Sequence, residues 1–425
     1  MSVKSALAMA WINRDGRIIV ISSGLRSFGV GFAVIILGVY LAEIGMSVGQ
    51  IGAFFTAGVA GSALLTFLVG MFADRIGRRS MFIGITLVQA VPVVVLVVSD
   101  DFWVLTAAAF FGAISGVAGR GPVQPLEQAA LATSAADHRR TDVFSTYRIV
   151  STAAAALGSL VAGTAPLLVR VLGISDLGSQ KTLLIAYVVC LLAAEGLYLL
   201  LSEHAEVGKS KRDPPVNPLK LKSRRLIFTL TALFSVDHFA GTLIIQSLVA
   251  YWFNTRFGFE LTALAWLFFV SNVLAAISLW AAAKIANRIG LIKTMVFTHI
   301  PSSLFLIAAA FAPVGWLAVV FWQARSFFSQ MDVPTRDSYT MAVVPPEERM
   351  AMASIHLTGR SIAGTGGPAV ATALWQSVSA AAPFVACGVI KIAYDLALYA
   401  TFRNVKTPDE LAAEGRAGRP PPTVR

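Results

Sequence analysis

Apolar stretches of about 20 residues or more recur along nearly the whole chain, and each is long enough to cross a hydrocarbon core of roughly 30 Å as a helix. They fall near 18–42, 48–70, 80–99, 102–126, 145–170, 181–201, 226–253, 260–285, 293–312, 315–341, 351–378 and 382–402. With 56% hydrophobic and 13% charged residues, against about 25% charged in soluble chains, the protein has too little polar surface to cover itself in water. The pattern predicts an all-α membrane protein of twelve transmembrane helices embedded in a lipid bilayer. Asn13, Arg14, Asp15 and Gly16 lead straight into the first stretch, without a short apolar core and a small-residue cleavage site. The first span is therefore expected to stay in the mature chain.

A formal charge of +11 would suit a nucleic-acid partner if the basic residues formed one patch. They do not. Lys4, Arg14 and Arg17, then Arg75, Arg78 and Arg79, Arg139 and Arg140, the run from Lys209 to Arg225, Arg288 and Lys293, Arg349, and Arg403 onward fall in alternate loops. The opposite loops hold little beyond Arg170, Lys181 and Arg256. This is the positive-inside pattern. It predicts a multi-pass protein of the cytoplasmic (inner) membrane with both termini in the cytoplasm, and no nucleic acid as partner.

Cys190 and Cys387 both sit inside spans and give neither a disulfide framework nor a metal-ligand spacing. Buried thiols of this kind are usually small packing residues, and a thiophilic metalloid cargo would require one of them to face a cavity. No metal is expected. The chain has no Gly-rich loop ending in Lys-Ser/Thr for nucleotide and no soluble domain large enough for hydrolysis. An enzyme and a cofactor are thus not expected, and movement of a solute would have to draw on a gradient.

The one long polar interruption divides the chain into an N-terminal six-helix bundle (1–201), a cytoplasmic linker (202–225), a C-terminal six-helix bundle (226–403) and a cytoplasmic tail (404–425) expected to be disordered. The halves echo one another. Ala73-Asp74-Arg75-Ile76-Gly77 matches Ala286-Asn287-Arg288-Ile289-Gly290, Pro125-Leu126-Glu127-Gln128 falls where the second half has Pro334-Thr335-Arg336-Asp337, and Arg26-Ser27-Phe28-Gly29 aligns with Asp237-His238-Phe239-Ala240. Duplication is the simplest account, and two such bundles enclose a mid-membrane cavity where transporters bind solute and coupling ions.

The loop Gly70-Met71-Phe72-Ala73-Asp74-Arg75-Ile76-Gly77-Arg78-Arg79 resembles the signature of the major facilitator superfamily: Gly, a few residues, Asp-Arg, a spacer, Gly, then two basics. The resemblance covers the chain from the first span to about residue 403. It implies two pseudo-symmetric six-helix bundles around a central cavity and a monomer that carries a small-molecule solute. It also implies a cytoplasmic latch or gate in which Gly70, Asp74, Arg75, Gly77 and Arg78 take part. Asp74 would cap a helix end, where a carboxylate is favoured by the macrodipole, and Arg78 would pair with Glu127. The chain departs from the family where Gly112-Ala113-Ile114-Ser115-Gly116 stands in place of a fourth-span Arg followed by a Gly-containing stretch. The fifth-span pattern linked to antiporters is only partly present, as Gly158, Gly163 and Pro166.

Charges inside spans are costly unless they face a partner or a wet cavity, so they are the candidate substrate and coupling residues. Arg26 and Asp237 lie near mid-membrane in the first and seventh spans and are expected to face one another, either as a coupling site or as a structural salt bridge. His238 adjoins Asp237 and is titratable near neutral pH, although neighbours on a helix point about 100° apart. Its bland reading is a packing histidine. The tenth span carries Arg325, Asp332, Arg336 and Asp337, with Asp332 the deeper acid and Arg336 with Asp337 nearer a gate. Arg120 would meet an anionic solute or Glu127. Glu195, and Lys391 with Asp395 four residues on, are read as neutralised locally. Glycines around Gly29, Gly31, Gly364 and Gly367 permit close helix approach, whether for static packing or for sliding.

These features predict a secondary active transporter working by alternating access, with proton-coupled efflux as the leading form and uptake or facilitated diffusion as the alternative. A rival of another class is a non-transporting receptor or assembly factor on the same fold. Such a protein would have little need of charges at mid-membrane.

Overall fold

The computed structural model describes residues 12–116, 121–131, 134, 140–202, 221–345 and 348–405. Every regular element among them is a helix, as expected where no water is available to satisfy a backbone in lipid. In chain order these are α1 (Arg14–Glu43), α2 (Val48–Ile76), α3 (Arg78–Val98), α4 (Phe102–Gly112), α5 (Gln124–Leu131), α6 (Arg140–Ala162), α7 (Ala165–Leu172) and α8 (Asp176–Tyr198). They continue as α9 (Arg224–Thr242), α10 (Gln246–Phe257), α11 (Leu261–Ile289), α12 (Leu291–Phe311), α13 (Gly315–Phe328), α14 (Asp332–Ala342), α15 (Arg349–Gly364), α16 (Gly367–Ser377) and α17 (Ala382–Phe402). The expected linker and tail lie almost wholly outside the described residues.

Eight stretches of the described residues are long and apolar enough to span a membrane, one of them joining α9 and α10 over Arg224–Phe257, or nine if the pair Asp142–Ala162 and Ala165–Leu172, bent by 43°, counts as one. Among the described residues the remaining three of the twelve expected spans are not continuous helices, because the fourth, tenth and eleventh stretches are each interrupted. The fourth stops at Ala113, whose positive φ of 54° ends α4, and Pro125 stands in the first turn of α5. The tenth breaks between Phe328 and Asp332, with Pro334 in the first turn of α14. Proline has no N–H to give and is tolerated only where a helix starts, so each of these prolines sits at the beginning of the second segment.

The chain forms two compact units. The first holds Met1–Lys211 and Ile245–Asn272, the second Arg212–Ile244 and Val273–Arg425. The segment containing α10 thus packs with the first unit, which differs from a division at the linker alone. A hydrogen bond explains it: the buried Ser247 hydroxyl donates to the Val34 carbonyl of α1 at 2.6 Å.

In the first unit, α1 packs lengthwise against α6 and α8. A Cβ at Gly31 would collide with the Ala155 carbonyl and one at Gly158 with the Phe28 carbonyl, so paired glycines let the α1 and α6 backbones touch. Ile19, Val20, Phe82, Leu126, Leu131, Tyr147 and Tyr198 form a buried apolar cluster beside this contact. In the second unit, α9 packs on α15 and α17, while α12 packs on α13, α14 and α17. Ile227, Phe234, Met295, Tyr339, Tyr394 and Phe402 make the corresponding cluster.

The internal repeat is visible in the backbone. Gly77 and Gly290 precede α3 and α12 with φ of 97° and 89°, a region open to glycine and strained for other residues. Both following helices have 21 residues and an internal proline, Pro92 and Pro301.

Candidate functional site

Each unit buries one cluster of charges. In the first, Arg26 of α1 donates through Nη2 to Glu127 Oε2 of α5 at 2.6 Å. Glu127 is fully buried and also accepts from the Tyr147 hydroxyl at Oε2 and the Tyr198 hydroxyl at Oε1, each at 2.7 Å. Three donors on one carboxylate offset its desolvation in a way a bare ion pair would not. Glu127 is held by Arg26, which was expected to face Asp237; the other expected partner of Glu127, Arg78, has its side chain outside the described residues.

In the second unit, Asp237 of α9 accepts from Lys391 Nζ of α17 at 2.5 Å and from Arg336 Nη1 of α14 at 3.2 Å. Arg336 Nη1 also donates to Asp332 at 3.0 Å. The imidazole of His299, on α12, lies with Nδ1 3.0 Å from Asp395 Oδ2 of α17, Nε2 3.4 Å from Lys391 Nζ, and Nε2 3.8 Å from Asp237 Oδ1. Lys391 and Asp395 thus do not neutralise one another along α17, as their spacing suggested. Each turns to a different helix, Lys391 to Asp237 of α9 at 2.5 Å and Asp395 to His299 of α12 at 3.0 Å, because at hydrogen-bond distance in a desolvated interior the attraction is strongest.

The arrangement fixes the hydrogen-bond roles. An ammonium at Lys391 can only donate, so His299 Nε2 accepts and Nδ1–H donates to Asp395. In that state three carboxylates face two permanent cations, and the cluster carries one surplus negative charge. A proton on Nε2 cancels the surplus. It also sets two donors, Nε2–H and the ammonium, against each other, and leaves Asp237 as the acceptor open to Nε2–H.

The remaining predicted residues fall elsewhere. His238 lies 3.4 Å from Arg360 Nη2 and packs against Gly364, away from the cluster on its own helix. Arg325 stacks over the Trp322 ring at 4.6 Å. Asp337 is exposed, so Arg336 belongs to the buried cluster and not to a pair with Asp337. Arg120, and the side chains of Gly70, Asp74, Arg75 and Arg78, lie outside what the structure describes. His299 was not singled out from sequence. A histidine alone in an apolar helix has no nearby acid to mark it, and only the intramembrane rule, applied to every titratable residue, would have found it.

The profile of the Major Facilitator Superfamily matches residues 19–331. The chain belongs to that superfamily. A membrane protein of Saccharomyces cerevisiae, Uncharacterized membrane protein YJR124C, is 23% identical over 428 residues, covering 92% of this chain and 95% of the yeast protein. Among solved structures, the nucleoside transporter NupG superposes with a TM-score of 0.70 at 13% identity, covering 92% of this chain and 99% of its own. A POT family transporter in complex with 5-aminolevulinic acid gives 0.69 at 12%, covering 91% and 96%. The human organic anion transporter MFSD10 gives 0.57 at 16%, covering 90% and 99%. This facilitator therefore has the fold that the signature loop implied, and its helices are those of a multi-pass membrane transporter of solutes.

Proposed function

We propose that this facilitator moves a small organic solute across the cytoplasmic membrane by alternating access, coupled to a proton that binds at the His299–Asp395 pair. The observation that carries the reading is the imidazole of His299 held between Asp395 and Lys391, beside Asp237. A group of this type titrates near neutral pH when unperturbed, at about 6.5, and here its protonation changes both the cluster's charge and the partners of Lys391 and Asp237. A proton taken up from one side and released on the other would thereby drive a change of state through a differential in contacts.

The class of cargo is supported by the fold relatives, whose names refer to nucleosides, 5-aminolevulinic acid and organic anions. The basic loops support cytoplasmic termini. Outward solute movement against inward protons is the direction tested first, and uptake together with the proton is read by the same assay. The purified protein is reconstituted into liposomes holding a pH-sensitive dye and screened against small solutes under an imposed pH gradient. A substrate should evoke a pH change whose sign gives the direction. His299→Gln and Asp395→Asn should abolish that change and gradient-driven accumulation while solute exchange at equal pH persists. A full substrate-evoked pH change in His299→Gln would end the proposal.

A further inference from the structure

Three of the described cations inside the spans are matched by a carboxylate: Arg26 by Glu127 at 2.6 Å, Arg336 by Asp332 at 3.0 Å and Lys391 by Asp237 at 2.5 Å. Arg325 is not. It stands ten residues after Gly315 in α13, about 15 Å along the helix axis and so near the middle of a hydrocarbon core of roughly 30 Å. Among the described residues no acid reaches it at salt-bridge distance and its guanidinium makes no hydrogen bond. It stacks over the Trp322 ring at 4.6 Å. Toward α17 its charge reaches Cys387, whose thiol is a weak acceptor.

The cation does not point into lipid. At about 100° per residue, Arg325 lies about 20° around α13 from Ala318, on the side that also buries Trp322, and about 180° from Trp316. Ala318 is 0% and Trp322 5% exposed, against 68% for Trp316. Nor is the guanidinium sealed. The side-chain nitrogens left buried without a partner include Nε of Arg26 and of Arg336 but none of Arg325, and Arg325 is only part-buried. An open cation thus stands at mid-membrane on the protein-facing side of its helix.

Arginine keeps its charge at any working pH, and a charge at this depth is costly until acceptors meet it. The carboxylates of the second unit are already taken, Asp237 by Lys391 and Arg336, Asp332 by Arg336, and Asp395 by His299. The acceptors have to come from outside the chain. We infer that Arg325 is the recognition point of the second unit for an organic monoanion bearing a carboxylate. The two oxygens of that group match the planar fork of a guanidinium, and its one negative charge balances the one open cation. The inference rests on the transport reading for calling this anion the cargo, whereas the binding chemistry stands on Arg325 alone.

The test uses the full chain in lipid nanodiscs and equilibrium binding of radiolabelled benzoate, benzamide and benzylamine, which share a ring and differ in charge. Benzoate should bind saturably and about tenfold or more tighter than the other two, the factor expected of a charge-assisted hydrogen bond in a desolvated site. Arg325→Met keeps an apolar side chain against Trp322 and removes the charge. It should lose the preference for benzoate and unfold at the same temperature or higher, because an uncompensated buried charge is gone. A cation kept for stability would give a lower unfolding temperature instead. Equal binding of the three probes, preference for benzamide or benzylamine, no saturable benzoate binding, or a lowered unfolding temperature in Arg325→Met overturns the inference. Benzoate binding in this order without proton-coupled movement of any solute would keep the anion site and remove the proton reading. Proton-coupled movement without benzoate binding would do the reverse.

Discussion

Replacing Glu127 by glutamine keeps the shape of the side chain and removes its charge, which isolates the electrostatic part of the first-unit cluster. Arg26 is 6% exposed and Glu127 is fully buried, so water cannot take over the guanidinium once its partner is neutral. Breaking a buried pair from one side costs about 3–5 kcal/mol. Tyr147 and Tyr198, which both donate to the carboxylate at 2.7 Å, would keep weaker neutral hydrogen bonds, each worth about 1 kcal/mol. The expected loss for Glu127→Gln is therefore about 3–4 kcal/mol. Removing both charges together, as in Arg26→Met with Glu127→Leu, removes the buried imbalance and should cost clearly less than the two single losses combined, because coupled partners are not additive. The assay is reversible unfolding of the purified protein in mixed micelles, run as a double-mutant cycle. Wild-type stability in Glu127→Gln, or strictly additive losses across the cycle, would refute the argument that this pair is desolvated and mutually compensated.

Other outcomes follow from the same geometry. Asp237→Asn should lower folded yield and flux more than Asp332→Asn, since Asp237 compensates both Lys391 and Arg336 while Asp332 serves Arg336 alone; fluorescence size-exclusion profiles and flux in vesicles read both. Adding Lys391→Met to Asp237→Asn should recover part of the yield by restoring the charge balance. Gly31→Leu should destabilise by at least about 1–3 kcal/mol through a clash with the Ala155 carbonyl that side-chain motion cannot relieve, measured by thermal unfolding. Gly77→Ala should cost about 1–3 kcal/mol for its φ of 97°, and Gly290→Ala a similar amount, checked by the same measurement.

Much of the fold was legible because its determinants are local. Apolar length marked the helices, and the Ile-Gly pairs at 76–77 and 289–290 marked both repeat turns. The interruptions were harder to read. Pro125 and Pro334 were legible as matching positions of the repeat, yet a proline starting a new segment and a proline bending a continuous one look alike without the backbone. At the site, burial of Arg26, Asp237, Asp332 and Arg336 followed from their apolar surroundings. Their partners did not, because Arg26 meets Glu127 across 101 residues and His299 meets Asp395 across 96, separations on which helical periodicity is silent. The four-residue spacing of Lys391 and Asp395 pointed to each other, and the tertiary fold overrode it.

Among the described residues, the second-unit cluster has a single ring nitrogen facing both Lys391 and Asp237, since His238 lies on Arg360 and His356 against Phe234. Under the proposed coupling, one hydrogen ion would bind per turnover, which sets a stoichiometry. One elementary charge crossing 100 mV is worth about 2.3 kcal/mol, so a neutral cargo exchanged for it is limited to a concentration ratio of roughly 50 for each 100 mV of membrane potential. Under that coupling, a cell would clear or gather such a solute to the ceiling set by the potential together with the pH difference the proton also crosses.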